Sequence, residues 1–276
     1  MDARLQRRVQ RYGWDKAAAQ YERYWARQLE PAQSLLMKFA ALAPGERVLD
    51  IAAGSGLVTF RAAETVGPSG QIVATDISEQ MVELLQANAA ERGHANVSAE
   101  RMEAEQLRLP EASFDVVLCS LGLMYVTDPA ESVREMFRVL KPGGRMVAAV
   151  WGTRANCGWA EIFPIVERRV ASEVCPLFFQ LGGGDALRWT LEGAGFGGVD
   201  VERISTSLEY ADGDEACEAA FAGGPVALAY ARFDERVTAE AHAEYLASIE
   251  AHRRGAGYAV PGEFVVARGT RSAAAR

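Results

Sequence analysis

A chain of 276 residues, 49% apolar and 24% charged, has the balance of a soluble globular protein. No apolar run approaches the roughly 18 residues that a membrane span requires, so stable membrane insertion is not expected. A formal charge of −8 speaks against nucleic acid as a main partner, because a phosphate backbone is held by clustered Lys and Arg.

The first 42 residues read as a helical segment without a signal-peptide core, so a cytoplasmic protein is expected. Within it Trp14, Tyr21 and Trp25 follow one another at spacings of seven and four, one stripe of a helix. Residues 43–152 then alternate strand-like and helix-like segments. "RVLDIA" precedes a helix through Phe60, "QIVATDI" (71–77) a helix over Glu79–Arg92, and "FDVVLCSL" (114–121) a helix over Pro129–Leu140. "NVSAERM" supplies a strand between the second and third of these units, and "GRMVAAVWG" (144–152) closes the series. Short apolar strands separated by single helices predict a doubly wound α/β fold with a mostly parallel, seven-stranded sheet covered on both faces. Asp128, Pro129 and Glu131 form a capping-box arrangement, and "KPGG" (141–144) stops the helix that follows.

After Trp151 the rhythm changes. Residues 153–183, with scattered aromatics and "LGGGD", read as a cap insertion, 184–210 as a return to the core with a helix over 185–196 and a strand, and 211–257 as a second helical cap. "EFVVARG" (263–269) within 258–276 predicts a closing strand, with a disordered end from Thr270. Cys119, Cys157, Cys175 and Cys217 form no CxxC pair and stand at no zinc-site spacing with His94, His242 and His252. Free thiols and no metal are expected.

The chemistry gathers in "VLDIAAGSG" (48–56), where a strand ends on Asp50 and runs into small residues only. Gly54 and Gly56 let the backbone approach a ligand closely. The NAD fingerprint needs a third glycine where Thr59 stands, and a pyrophosphate would gain nothing from Asp50, so an NAD-dependent oxidoreductase is disfavoured. Asp76 ends the second strand, where a carboxylate can accept from a ribose diol. Glu103 follows the third strand, with Glu105 offering a second register. Acids at three successive strand tips describe a cationic ligand bearing a ribose, S-adenosylmethionine.

These stretches together resemble the class I S-adenosylmethionine-dependent methyltransferases, of the group that includes the ubiquinone/menaquinone C-methyltransferases. "VLDIAAGSG" is similar to the family's D-x-G-x-G-x-G motif with Ala52 in place of the first glycine. "VATDIS" is similar to its second motif, which implies Asp76 on the ribose hydroxyls and Ile77 against the adenine. "MEAEQLRLPEASFDVVLC" resembles a further stretch that implies Glu103 and Ala104 near the adenine amino group. Met81 and Ser120 complete the expected donor-binding set, with S-adenosylhomocysteine as product and no metal.

The acceptor is expected over the fourth strand tip, near Leu121 and Tyr125, with Tyr21 as a lid residue from the N-terminal helix. "SLGLMY" there lacks the Asn/Asp-Pro-Pro-aromatic signature of nucleobase amine methylation and the carboxylates of metal-assisted catechol methylation. A small apolar or aromatic molecule, methylated on oxygen, carbon or nitrogen, is the expected partner. His242 and His252, on one face of "VTAEAHAEYLASIEAHRR", are the candidate bases, set against the plain reading of an amphipathic helix packing on its neighbours. The competing function is a donor-binding fold that transfers no methyl group.

Overall fold

The computed structural model describes residues 3–170 and 178–273. Cys175 and the part of the first insertion around it lie outside them. Helix α1 (Ala3–Ala40) is followed by five strands, β1 (Arg47–Ile51), β2 (Gln71–Asp76), β3 (Val97–Arg101), β4 (Phe114–Ser120) and β5 (Leu140–Trp151), all parallel. Crossover helices α2 (Leu57–Val66), α3 (Glu79–Glu91) and α4 (Pro129–Val139) separate β1 from β2, β2 from β3 and β4 from β5. Short polar caps start two of them: Ser78 Oγ accepts from Met81 N at 3.1 Å, and Asp128 Oδ1 from Glu131 N at 2.9 Å.

Beyond β5 come α5 (Ile162–Glu167), α6 (Ala186–Gly193) and the long strand β6 (Gly197–Tyr210). The stretch read as one helical cap resolves into α7 (Gly213–Phe221), α8 (Ala227–Tyr230), α9 (Glu235–Ile249) and a two-residue strand β7 (Arg253–Arg254). The chain then returns in β8 (Gly257–Thr270), which inserts antiparallel between β5 and β6. The continuous sheet has seven strands in the order β3-β2-β1-β4-β5-β8-β6, with β7 paired to the start of β8. The α/β fold is therefore doubly wound and mostly parallel.

Sequence and architecture agree for physical reasons. Val48, Leu49, Val116, Val117 and Leu118 are fully buried, as central strands covered on both faces require. Asp115 sits at the strand entry as a structural group, its Oδ2 accepting from Arg47 N at 2.9 Å and its Oδ1 from Lys141 Nζ at 2.7 Å. The expected disordered end begins too early. Thr270 still pairs with Arg145 and Gly197, and Arg271 Nη1 donates to the carbonyls of Phe137, Arg138 and Leu140. An arginine can satisfy several helix-end carbonyls at once, which fastens the strand end to α4.

Helix α1 lies across this frame, packing against α3, α8, β5 and β8. Its buried stripe includes Ala17, Trp25, Leu29, Ala32 and Leu36. Among the described residues no helix is long and apolar enough to cross a membrane. Cys119, Cys157 and Cys217 are buried free thiols.

Candidate functional site

The loop after β1 takes its shape from Asp50, Ala52 and Gly56. Asp50 pairs with Ala74 of β2 and Leu118 of β4, which places its carboxylate in the middle of the sheet. It is 1% exposed; Oδ2 accepts from Thr59 Oγ1 at 2.6 Å, while Oδ1 has no partner among the described residues. Burial pushes the Asp50 pKa up to about 7, opposed by the Thr59 hydrogen bond and reinforced by the nearby Asp76 charge. Thr59, which broke the NAD pattern, is thus the residue that orients this acid. Ala52 adopts φ 55°, the left-handed conformation a glycine would take without strain. Gly56 has φ 99°, and a Cβ there would stand 2.5 Å from the Phe60 ring, so only glycine lets α2 begin at this point.

Asp76 ties that loop to the next strand. Its Oδ2 accepts from Gly54 N and its Oδ1 from Ser78 N, both at 2.9 Å. Burial outweighs these hydrogen bonds and raises its pKa to about 6. The same carboxylate, together with burial, pushes the Tyr21 hydroxyl above its usual pKa.

A cavity opens over these strand tips. Ala52, Gly54 and Asp76 form its floor, and Ile77, Met81, Met102 and Ala104 form an apolar side. Ser120, Leu121 and Tyr125 border it from β4, and Tyr21 covers it from α1. Asp50 lies just beneath, in a side recess shared with Ser120 and Tyr21. Gly56 stands behind the loop and does not line the cavity.

Glu103, expected at the adenine, does not line it either. Its carboxylate pairs with Arg7 Nε at 3.3 Å, and Glu105, 3.6 Å from the same Nε, lines the wall instead. The cause is a turn after β3, closed by Gln106 N donating to Glu103 O at 3.1 Å, which reverses the sense of successive side chains. Glu105 Oε1 accepts from Thr127 N at 2.9 Å and Thr127 Oγ1 at 2.7 Å, so it also fixes the segment beyond β4.

A second, smaller cavity shares Trp14, Tyr21, Leu121 and Tyr125 with the first. Trp25, Trp151 and Trp159 complete its aromatic lining. Trp14 meets Tyr125 edge to face at 5.0 Å and Tyr21 at 5.7 Å, which fixes the partition between the two spaces. The stripe on α1 was the sequence signal for Trp14 and Trp25. Trp151 and Trp159 come from the end of β5 and the turn beyond it, with no periodic pattern to mark them.

Neither candidate base reaches this place. His242 stacks on Tyr230, its Nε2 3.0 Å from the Tyr230 hydroxyl, and burial lowers its pKa. His252 stands near Gly158, where a Cβ would meet its Nε2 at 3.4 Å. Neither lines either cavity: α9 buries Tyr245 and Ile249 and holds His242 against Phe221 and Tyr230, and His252 stands in the turn beyond the helix end. Among the described residues no group of three or more His, Cys, Asp or Glu is placed to hold a metal ion.

The first cavity fits S-adenosylmethionine by chemistry. The partnerless Asp50 Oδ1 and Ser120 Oγ suit an amino acid group, the two Asp76 oxygens a vicinal diol, and the methionine-lined side a flat base.

Comparison with known proteins agrees with this fit. A family model described as a methyltransferase domain matches residues 42–174. The ubiquinone/menaquinone biosynthesis C-methyltransferase of Ectopseudomonas mendocina is 38% identical over 128 residues, 46% of this chain and 50% of that protein. Its counterpart in Proteus mirabilis is 31% identical over 184 residues, 66% of this chain and 72% of that protein. The chain thus spans about half the length of most of the curated relatives it matches. In fold it is similar to a Haemonchus contortus phosphoethanolamine N-methyltransferase solved with S-adenosyl-L-methionine, with TM-score 0.60 at 16% identity over 94% of this chain and 57% of that one.

Proposed function

Because the chain belongs to the class I S-adenosylmethionine-dependent methyltransferases, we propose that it transfers a methyl group to a small apolar or aromatic molecule held in the second cavity. The observation that carries this reading is the partition by Trp14, Tyr21 and Tyr125, which sets an aromatic cavity directly against the one that bears Asp76 and has Asp50 beneath it.

Bound S-adenosylmethionine supplies a methyl carbon already activated by its sulfonium. The chain's task is then to bind, align and keep out water, which can account for much of the rate in such a displacement. Asp50 holds the ammonium end through its partnerless oxygen, and Thr59 keeps the carboxylate in that rotamer. Asp76 holds the ribose, and Ile77, Met81 and Ala104 seat the base. Leu121 and Tyr125 border the line along which the acceptor approaches, and Tyr21 closes it from above. Segments 1–42, 153–183 and 211–257 act as the cap on a core made by 43–152, 184–210 and the closing strand.

Among the described residues no His, Asp, Glu or Lys lines the second cavity, and the reading assigns no general base there. The test is calorimetric titration with S-adenosylmethionine and S-adenosylhomocysteine, followed by mass-spectrometric assay of S-adenosylhomocysteine formation with a panel of small aromatics. Binding and turnover, both lost in Asp76→Asn, are expected. Tight binding without methyl transfer to any acceptor would favour a donor-binding fold with another task.

A further inference from the structure

The second cavity contains two buried donors with nothing to donate to. Trp25 and Trp159 are 5% and 2% exposed, both line it, and neither Nε1–H has a partner among the described residues. Trp25 Nε1 lies beside a glycine pair that belongs to this wall: a Cβ on Gly223 would stand 3.3 Å from it, and Gly224 lines the cavity. A buried donor without an acceptor bears its full desolvation cost, and a ligand oxygen removes it.

Position adds to chemistry. Trp14, Tyr21, Leu121 and Tyr125 border both cavities, whereas Trp25 and Trp159 border only the second. The side chains of Trp25 and Trp159 therefore stand on the part of the wall not shared with the first cavity.

An aromatic cavity can also attract an organic cation through exposed ring faces. Here one face of Trp151 is covered, and the other indoles meet their neighbours edge to face. Phe264 lies over Trp151 at 4.2 Å and 31°, Trp159 is flanked by Phe178 at 5.6 Å, and Trp25 meets Trp151 and Trp159 steeply at 6.0 and 6.1 Å. Among the described residues no carboxylate lines the wall to neutralise an ammonium, and two N–H dipoles would repel one.

We propose that Trp25 and Trp159 determine acceptor specificity by donating to an oxygen of an oxygen-bearing aromatic molecule, gripping it at the end away from the atom that receives the methyl group, and that amines and quaternary ammonium ions are refused. This rests on the second cavity being the acceptor site.

Three probes test it: 2-naphthol, naphthalene and phenyltrimethylammonium, titrated calorimetrically into the full chain saturated with S-adenosylhomocysteine. Naphthol is expected to bind about tenfold more tightly than naphthalene, a preference lost in Trp25→Phe and Trp159→Phe while naphthalene affinity changes less. In a ¹⁵N-indole spectrum, the Trp25 and Trp159 N–H resonances should move downfield with naphthol and stay with naphthalene. Equal binding of naphthol and naphthalene, an unchanged preference in both variants, or stronger binding of the ammonium overturns the proposal. S-adenosylhomocysteine binding is measured first in every variant. Its absence from the unsubstituted chain would instead overturn the function proposed above.

Discussion

A methyl group built on Gly122 would stand 2.3 Å from the Cβ of Ala52, so the Ala52 methyl in the donor loop leaves no room for a side chain at Gly122, just beyond β4. Ala52 holds a left-handed φ of 55° at a cost of about 1–2 kcal/mol. Gly122→Ala should destabilise the protein by about 1–3 kcal/mol through overpacking and weaken S-adenosylhomocysteine binding. Ala52→Gly on that background should recover most of both, because it removes the opposing methyl and the strain together. A double-mutant cycle by denaturant unfolding checks this, and strict additivity would show that the contact does not carry the effect.

The burial of Asp50, opposed by its hydrogen bond from Thr59, makes donor binding pH-dependent. The folded-state pKa of Asp50, about 7, lies above its ordinary 3.8. The native protein therefore holds more protons than the unfolded chain between those values, and its stability falls as pH rises through the window. A cationic donor selects the ionised form, so its affinity should rise over the same range and its binding should release a proton. Thr59→Val should move both effects to higher pH and weaken binding about tenfold at neutral pH. Calorimetry in buffers of different ionisation heat measures the released proton. An affinity that stays flat from about pH 5 to about pH 8 would sink the assignment of Asp50.

The acids beyond β3 should separate cleanly. Glu103→Gln removes only a partly exposed ion pair with Arg7, worth about 0.2–1 kcal/mol, and should change donor affinity less than about twofold. Glu105→Ala strips the acceptor from both Thr127 groups and should weaken donor binding about tenfold. Equal losses in the two variants would restore Glu103 to the site.

His242→Ala and His252→Ala should leave turnover within about twofold of the parent, since neither ring reaches a cavity. His242→Ala should still lower stability by about 1 kcal/mol, through the lost hydrogen bond to Tyr230. A tenfold or greater fall in rate, with stability unchanged, would return the histidine to the chemistry.

What could be read in advance was local. The alternation of β1 to β5 with their helices, the Asp128 cap and the small-residue loop at Asp50 all rest on near neighbours in the chain. The choice between Glu103 and Glu105 was not legible, because one turn-closing hydrogen bond decides which of two nearby acids faces inward. The second cavity was hidden for the opposite reason. Trp25, Trp151 and Trp159 meet only after α1 has crossed the sheet, and no periodicity links positions so far apart. Arg271 was misjudged by composition, since an Ala-rich tail conceals one side chain that bonds to three carbonyls.

The chain has five tryptophans; Trp14, Trp25, Trp151 and Trp159 line the second cavity, and Trp189 is 65% exposed on α6. The protein thus carries its own optical probe. Emission from the four clustered indoles reports what occupies the space between them, while Trp189 adds a red-shifted background open to aqueous quenchers. In Trp189→Phe nearly all the remaining signal would come from the cavity, and acceptors could be screened by fluorescence alone, before the product of any reaction is known.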